Sequence, residues 1–168
     1  MTEPPELGVD AVVGVEAVVA VEPDAFAREE AERSAAASGT PVEVVAGSAE
    51  ALPAADASFD AAVCCWVLCT VPDQAAALGE LRRVLRPDGE LRVYEHVRSR
   101  SAPFLLLQRL VDATWWPRLL GGCRTARDTE AALRAAGFET SGLERVFHSS
   151  SLLTLPAAPH LLGTARLR

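Results

Sequence analysis

The feature that most constrains the fold is a rhythm: short apolar or β-branched runs alternate with helix-length segments along most of the chain. Val18 to Val21 is such a run and ends at Glu22, a buried parallel strand by pattern. "DAFAREEAERSAAA" follows, with Asp24 able to cap a helix and Gly39 beyond it to stop one. "PVEVVAG", "FDAAVCCWVL" and "ELRVYEHV" read as further strands. Between the last two, "DQAAALGELRRVLRPDGE" puts Leu78, Leu81, Val84 and Leu85 on one helical face and is expected to end sharply at Pro87, Asp88 and Gly89. Residues 103–120 predict an apolar, Trp-bearing helical segment, and "RDTEAALRAAGF" a capped helix ending at Gly137. "TSGLERVF" and "HLLGTARLR" close the chain as strands. This alternation predicts an α/β fold: a doubly wound, mostly parallel sheet with an antiparallel C-terminal strand pair. One domain over residues 1–168 is expected, with an irregular start at 1–15.

Composition narrows the partners. A chain of 168 residues that is 49% hydrophobic can bury a sizeable core. Its net charge of −7 and complete lack of lysine argue against nucleic acid as a partner. The cysteines are Cys64, Cys65, Cys69 and Cys123; two are adjacent in an apolar run, a poor disulfide framework, and no secretory signal precedes them. A reduced, cytoplasmic protein is expected. The spacing resembles no zinc finger, so no metal is expected either. No apolar run reaches the roughly 18–20 residues that span a bilayer. "APFLLLQRLVDATWWPRLL", broken by Gln108, Arg109, Asp112, Pro117 and Arg118, could touch a membrane surface but should not cross one.

Ligands of such sheets meet the carboxyl ends of the strands. Glu22, followed by Pro23, stands at one such end, where a carboxylate can accept hydrogen bonds from vicinal ribose hydroxyls or can simply belong to a helix-capping cluster. "AGSAEALP" can offer backbone N–H groups to an adenine edge, with Leu52 as an apolar wall, or be an ordinary loop held by Ser48. At the end of the most hydrophobic strand, Cys64 and Cys65 read as small core residues, whereas Trp66 and Cys69 could line an acceptor pocket. Glu95 and His96 end another strand; the acid could orient the imidazole as a general base, or the pair could point to opposite faces. Trp115 and Trp116 could form a lid over an apolar substrate or pack as a core helix. His148 and His160 are expected to be structural or exposed.

Taken together, "VEPDAF", "AGSAEALPAADASFDAAVCCWVLCTVPD" and "ALGELRRVLRPDGELRVYEHV" resemble the class I S-adenosylmethionine-dependent methyltransferases of the small-molecule type 11 kind. "EHVRS", "DATWWPRLLGGCRTARDTEAALRAAGF" and "LPAAPHLLGTARL" are similar to the branch that includes membrane-associated alkyl-thiol methyltransferases of animals. The resemblance implies a Rossmann-like fold and S-adenosylmethionine as cofactor. It places Gly8, Glu22, Pro23, Ser48, Ala49, Cys64 and Cys65 toward that cofactor, and His96, Trp66, Cys69 and Trp115 toward a small-molecule acceptor.

The family's "E-x-G-x-G-x-G" loop is represented here by "ELG" followed by "VDAVVGVE". The first strand and glycine-rich loop are therefore expected to be incomplete, as in an N-terminally truncated chain, and a Val or Asp side chain there would obstruct close backbone approach. The expected function is methyl transfer to an apolar thiol or other lipophilic nucleophile. The alternative is an inactive methyltransferase-fold remnant that serves as a binding module. An NAD-dependent oxidoreductase would share the acid at Glu22 but not "LRRVLRPDGEL".

Overall fold

The computed structural model of the protein describes residues 15–149 and 151–167. Gly8, expected at the cofactor, lies outside the described residues. The chain divides into two compact units, Met1–Gly47 and Ser48–Arg168, within the stretch expected to be one domain.

The first unit is a βαβ turn. β1 (Val18–Val21) lies parallel to β2 (Val42–Val45), with Val18 opposite Val42 and Val21 opposite Val45. Helix α1 (Ala25–Ala36) joins them, and the Asp24 carboxylate caps it by accepting the Ala27 N–H at 2.8 Å. That satisfies one of the N–H groups that a helix start leaves unpaired.

The second unit contains β3 (Phe59–Cys65), α2 (Gln74–Val84), β4 (Leu85–His96), α3 (Ala102–Ala113), α4 (Trp116–Leu119), α5 (Thr129–Ala135), β5 (Phe138–Glu139), β6 (Leu143–Phe147) and β7 (Pro159–Leu167). Its sheet runs β3-β4-β7, and β7 pairs on its far side with both β5 and β6. The β3–β4 pair is parallel, as the helical crossover α2 requires, whereas β7 is antiparallel to all its neighbours. The expected C-terminal antiparallel pair is β6–β7. At Gly163 a Cβ atom would stand 2.2 Å from the Gly142 carbonyl oxygen and φ is +133°, so β6 can enter beside β7 only past a glycine.

Leu78, Leu81, Val84 and Leu85 are buried, as their spacing predicts. The three leucines join Leu91, Val93, Leu133, Phe138 and Leu161 in a core that α2 and α5 share with the sheet. Each fully buried leucine contributes roughly 2 kcal/mol.

Three local expectations shift. Helix α2 stops at Val84, and "LRPDGE" belongs to β4, where pairing slips from Phe59–Leu85 to Ala61–Glu90. Pro87 disfavours a helical residue before it, Leu85 is already extended, and Asp88 takes a left-handed φ of 64°, so the excess residues are absorbed as a bulge. The 103–120 helix divides into α3 and α4, because Pro117 offers no N–H to continue the ladder. The short strand β5 and a 3-10 turn at Leu155–Ala157 had no signal in the pattern. Among the described residues no helix is long and apolar enough to cross a membrane.

Candidate active site

Parallel pairing sets the carboxyl ends of β3 and β4 at one edge of the sheet, with Cys65 opposite Tyr94. The antiparallel β7 brings His160 there, opposite His96. A bulky residue makes the turn out of β3: Trp66 has φ 56° and donates its N–H to the Tyr94 carbonyl at 2.8 Å. Left-handed backbone at a tryptophan is strained and must be held by its surroundings. Its ring lies nearly parallel to that of His96 (5.6 Å between centroids, 6° between planes) and stays half exposed. Tyr94 stacks on His160 at 4.9 Å; the latter is buried, and burial pulls its pKa down.

Glu95 fixes the loop that follows. It is wholly inaccessible, and its two carboxylate oxygens accept the N–H groups of Val67 (2.8 Å), Leu68 (2.9 Å) and Cys69 (2.9 Å). Burial raises its pKa, and those three donors oppose the rise. Gln108 does the same for the next layer. Its buried amide donates to the carbonyls of Val97, Thr125 and Pro156 and accepts the Ser99 N–H, tying α3 to the end of β4.

At this edge three soft donor atoms converge. The Sγ of Cys69 lies 3.5 Å and that of Cys123 3.4 Å from His96 Nδ1, and the two sulfurs are 3.9 Å apart. The hydrogen bond between the thiols, then burial, raises the pKa of Cys69, and the same bond lowers that of Cys123. Trp116 is buried beside them. Among the described residues its indole N–H has no partner in conventional hydrogen-bond geometry, yet it acts to lower the Cys123 pKa.

The expected site residues are placed as follows. Glu95 does not orient His96: neighbours on a strand alternate, so the carboxylate turns to the 67–69 backbone and the imidazole to the thiols. Cys69 was expected to line an acceptor pocket but is wholly buried, because Glu95 pulls its backbone inward. Cys64 is in the core, its thiol pushed up to about 12 chiefly by burial, whereas Cys65 is exposed. Trp116 is buried and packs as core, whereas Trp115 is partly exposed.

Ser48 and Ala51 form an isolated bridge, and Ala49 and Leu52 pack on the core. That loop is clamped from α2. Glu80 accepts the Leu52 N–H at 2.8 Å, while Arg83 donates to the carbonyls of Leu52 and Ala54 and pairs with Asp56. In the first unit, the half-buried Glu22 accepts the Asp24 N–H at 2.9 Å, with Pro23 exposed between them. A shallow depression of about 590 Å³ beside Arg82, Arg134 and Phe138 lies at the opposite edge of the sheet from His96 and brings none of these residues together.

The sequence pattern did not mark Glu80, Arg83, Gln108 or Cys123 as site-building residues, and it left Trp116 open between lid and core. Only the Glu80–Arg83 pair carried a local signal, an i,i+3 acid–base spacing on a helix.

Residues 8–93, just over half of the chain, match the methyltransferase domain family. The chain belongs to that family. The chain is 36% identical to human thiol S-methyltransferase TMT1B over 122 residues, which are 73% of this chain and 49% of the relative. It is 34% identical to human thiol S-methyltransferase TMT1A over the same shares. It is also 47% identical to the ubiquinone/menaquinone biosynthesis C-methyltransferase UbiE of Hahella chejuensis over 94 residues, 55% of this chain and 36% of that one. The chain thus spans about half the length of the thiol methyltransferases it matches.

Among solved structures, the YcgJ protein of Bacillus subtilis superposes with a TM-score of 0.71 at 18% identity, covering 91% of this chain and 83% of that one. An S-adenosylmethionine-dependent methyltransferase of Thermotoga maritima gives 0.65 at 25% identity, covering 88% and 72%. The Rossmann-like methyltransferase fold is therefore the fold of this chain, and the cofactor of the family is S-adenosylmethionine. The Glu22 carboxylate stands at the carboxyl end of β1, where ligands of such sheets bind, and accepts the Asp24 N–H.

Proposed function

We propose that the protein transfers the methyl group of S-adenosylmethionine to a small apolar thiol. The observation that carries this reading is the edge built by β3 and β4, where an exposed Trp66 stacks on His96 beside a loop locked by a buried carboxylate. Identity of 36% to a thiol S-methyltransferase supports the acceptor class.

The cofactor supplies an electrophilic sulfonium methyl. Glu22 would hold the ribose hydroxyls, and the backbone of Ser48 and Ala49 would meet the adenine edge, kept in place by the Glu80–Arg83 clamp. Cys65, the exposed member of its pair, would face the methionine end. Trp66 and Trp115 offer apolar surface to an acceptor, whose thiol proton passes to His96 or to water. In the transfer itself the acceptor's sulfur pair forms the new C–S bond, and the old C–S pair returns to the cofactor sulfur. Charge is neutralised in that step, so alignment rather than strong electrostatic help supplies most of the acceleration.

Calorimetric titration with S-adenosylhomocysteine, paired with transfer of labelled methyl to alkyl thiols, tests the reading. Saturable binding weakened about tenfold or more by Glu22→Ala, as expected for loss of a charged hydrogen-bond acceptor, supports it. A folded chain that neither binds nor methylates any thiol overturns it in favour of a binding module.

A further inference from the structure

We propose that Cys69, His96 and Cys123 form a binding site for one thiophilic divalent cation of the zinc class. The three donors come from separate places in the chain: the loop after β3, the last residue of β4, and the turn after α4. Their ligand atoms all lie within 4.8 Å of one another.

The separations are those of a coordination shell. Zinc bonds of about 2.3 Å to sulfur and 2.0–2.1 Å to nitrogen, arranged tetrahedrally, put two sulfurs about 3.8 Å apart and sulfur and nitrogen about 3.5 Å apart. The structure has 3.9 Å between the sulfurs and 3.5 and 3.4 Å from each to Nδ1. A disulfide would need the sulfurs at about 2.05 Å, and packing of two apolar thiols would not require an imidazole nitrogen between them.

The backbone around the donors is built to hold them. Glu95 anchors the Cys69 N–H, and the Cys69 carbonyl accepts the Arg124 N–H at 2.8 Å, which links the two cysteine loops directly. Cys123 follows Gly121 and Gly122, both at positive φ; a Cβ on Gly122 would come within 3.2 Å of the Thr70 carbonyl oxygen. Only glycine lets the Cys123 loop approach this closely. The unpartnered Trp116 indole N–H beside Cys123 is a donor suited to a metal-bound thiolate, which accepts hydrogen bonds while coordinated.

Two thiolates and a neutral imidazole leave one tetrahedral position for an exogenous ligand, the arrangement of reactive zinc sites rather than closed structural ones. Resting on the proposed thiol chemistry, the fourth ligand is the acceptor sulfur, because a thiol bound to such an ion is deprotonated outright.

The test uses the full chain, purified reduced and then stripped of metal. Zinc titration against a chromophoric chelator should give one ion per chain. Cys69→Ser and Cys123→Ser should each weaken binding at least a hundredfold, while Cys65→Ser keeps it. Should the serine variants unfold, cobalt(II) added to the unaltered chain decides the matter. Thiolate-to-cobalt charge-transfer bands with tetrahedral visible absorption support the site, and their absence overturns it. A Cys69–Cys123 disulfide found in the air-exposed chain with no retained metal likewise overturns it. Addition of an alkyl thiol to the cobalt form, with no cofactor present, should shift the visible bands. An unshifted spectrum overturns acceptor ligation and leaves both the ion site and the proposed methyl transfer standing.

Discussion

Two glutamates of the second unit do the same job by opposite physics. Glu80 on α2 accepts the N–H of Leu52, and Glu95 on β4 accepts that of Val67; each reaches back 28 residues to fasten a loop that follows a strand. Glu80 is only partly buried and ion-paired to Arg83, and that hydrogen-bonded pair holds its carboxyl down to about 2. Glu95 has no cation among its hydrogen-bond partners, is wholly buried, and is pushed up by desolvation while backbone donors hold it. The partly buried clamp is replaceable at small cost because water can take over its contacts. The buried one cannot be removed without stranding three amides in a dry interior.

The largest effect should come from Glu95→Ala. Three N–H groups lose their acceptor, and chemical denaturation should report a loss of about 3–5 kcal/mol. Glu95→Gln should cost less than half as much. Its single carbonyl oxygen can still serve Val67 and Leu68, while its amide faces the Cys69 N–H. If the two variants were equally destabilised, charge rather than acceptor count would be the property that matters.

Gln108→Leu comes next, at about 2–3 kcal/mol, because nearly the same volume is kept while three buried carbonyls and the Ser99 N–H lose their partner. Thermal unfolding followed by circular dichroism measures it.

The acid limb of the stability profile separates the two glutamates by sign. Glu80 has a folded pKa below its unfolded value, so its contribution is present above about 4.5 and is lost as pH falls toward about 2. Glu95 has a raised folded pKa, so its contribution is full below about 4.5 and declines as pH rises through the raised value. Urea unfolding from pH 2 to 6 should therefore lose its acid slope in Glu80→Gln and keep it in Glu95→Gln.

The smallest effect is the neutral-pH cost of Glu80→Gln itself, well under half that of Glu95→Ala, since an ion pair still reached by solvent contributes little and the glutamine oxygen can still accept the Leu52 N–H. A larger loss would mean that the 48–56 loop depends on this clamp for its fold as well as its position.

The order of strands and helices was legible because each element carries its own period: Leu78, Leu81 and Val84 repeat at helical spacing, and Val18 to Val21 form a short β-branched apolar run, which the structure pairs as a strand but leaves only half-buried. Caps were legible for the same local reason: Asp24 and Asp128 each accept a backbone N–H group at a helix start, as does Asp73, which was not singled out. Boundaries set by competition between neighbours were not. The end of α2 moved to Val84 because a proline and a left-handed aspartate favoured the strand, and a helix pattern does not record that contest.

The candidate site divides along the same line. Glu22, Trp66 and His96 stand at strand ends, and position in the sequence suffices to nominate them. Side-chain direction does not follow from position alone. Alternation along β4 sends Glu95 to the loop backbone and His96 to two sulfurs, one of them 27 residues further along the chain. Most of the strands and helices, and the family, could be read from the chain alone, because those are properties of local period and motif. Only the tertiary structure decided that Cys69 and Cys123, 54 residues apart, meet at one imidazole. That convergence depends on sheet register, a positive-φ glycine turn and a buried carboxylate acting together, and none of these is written in the spacing of the cysteines.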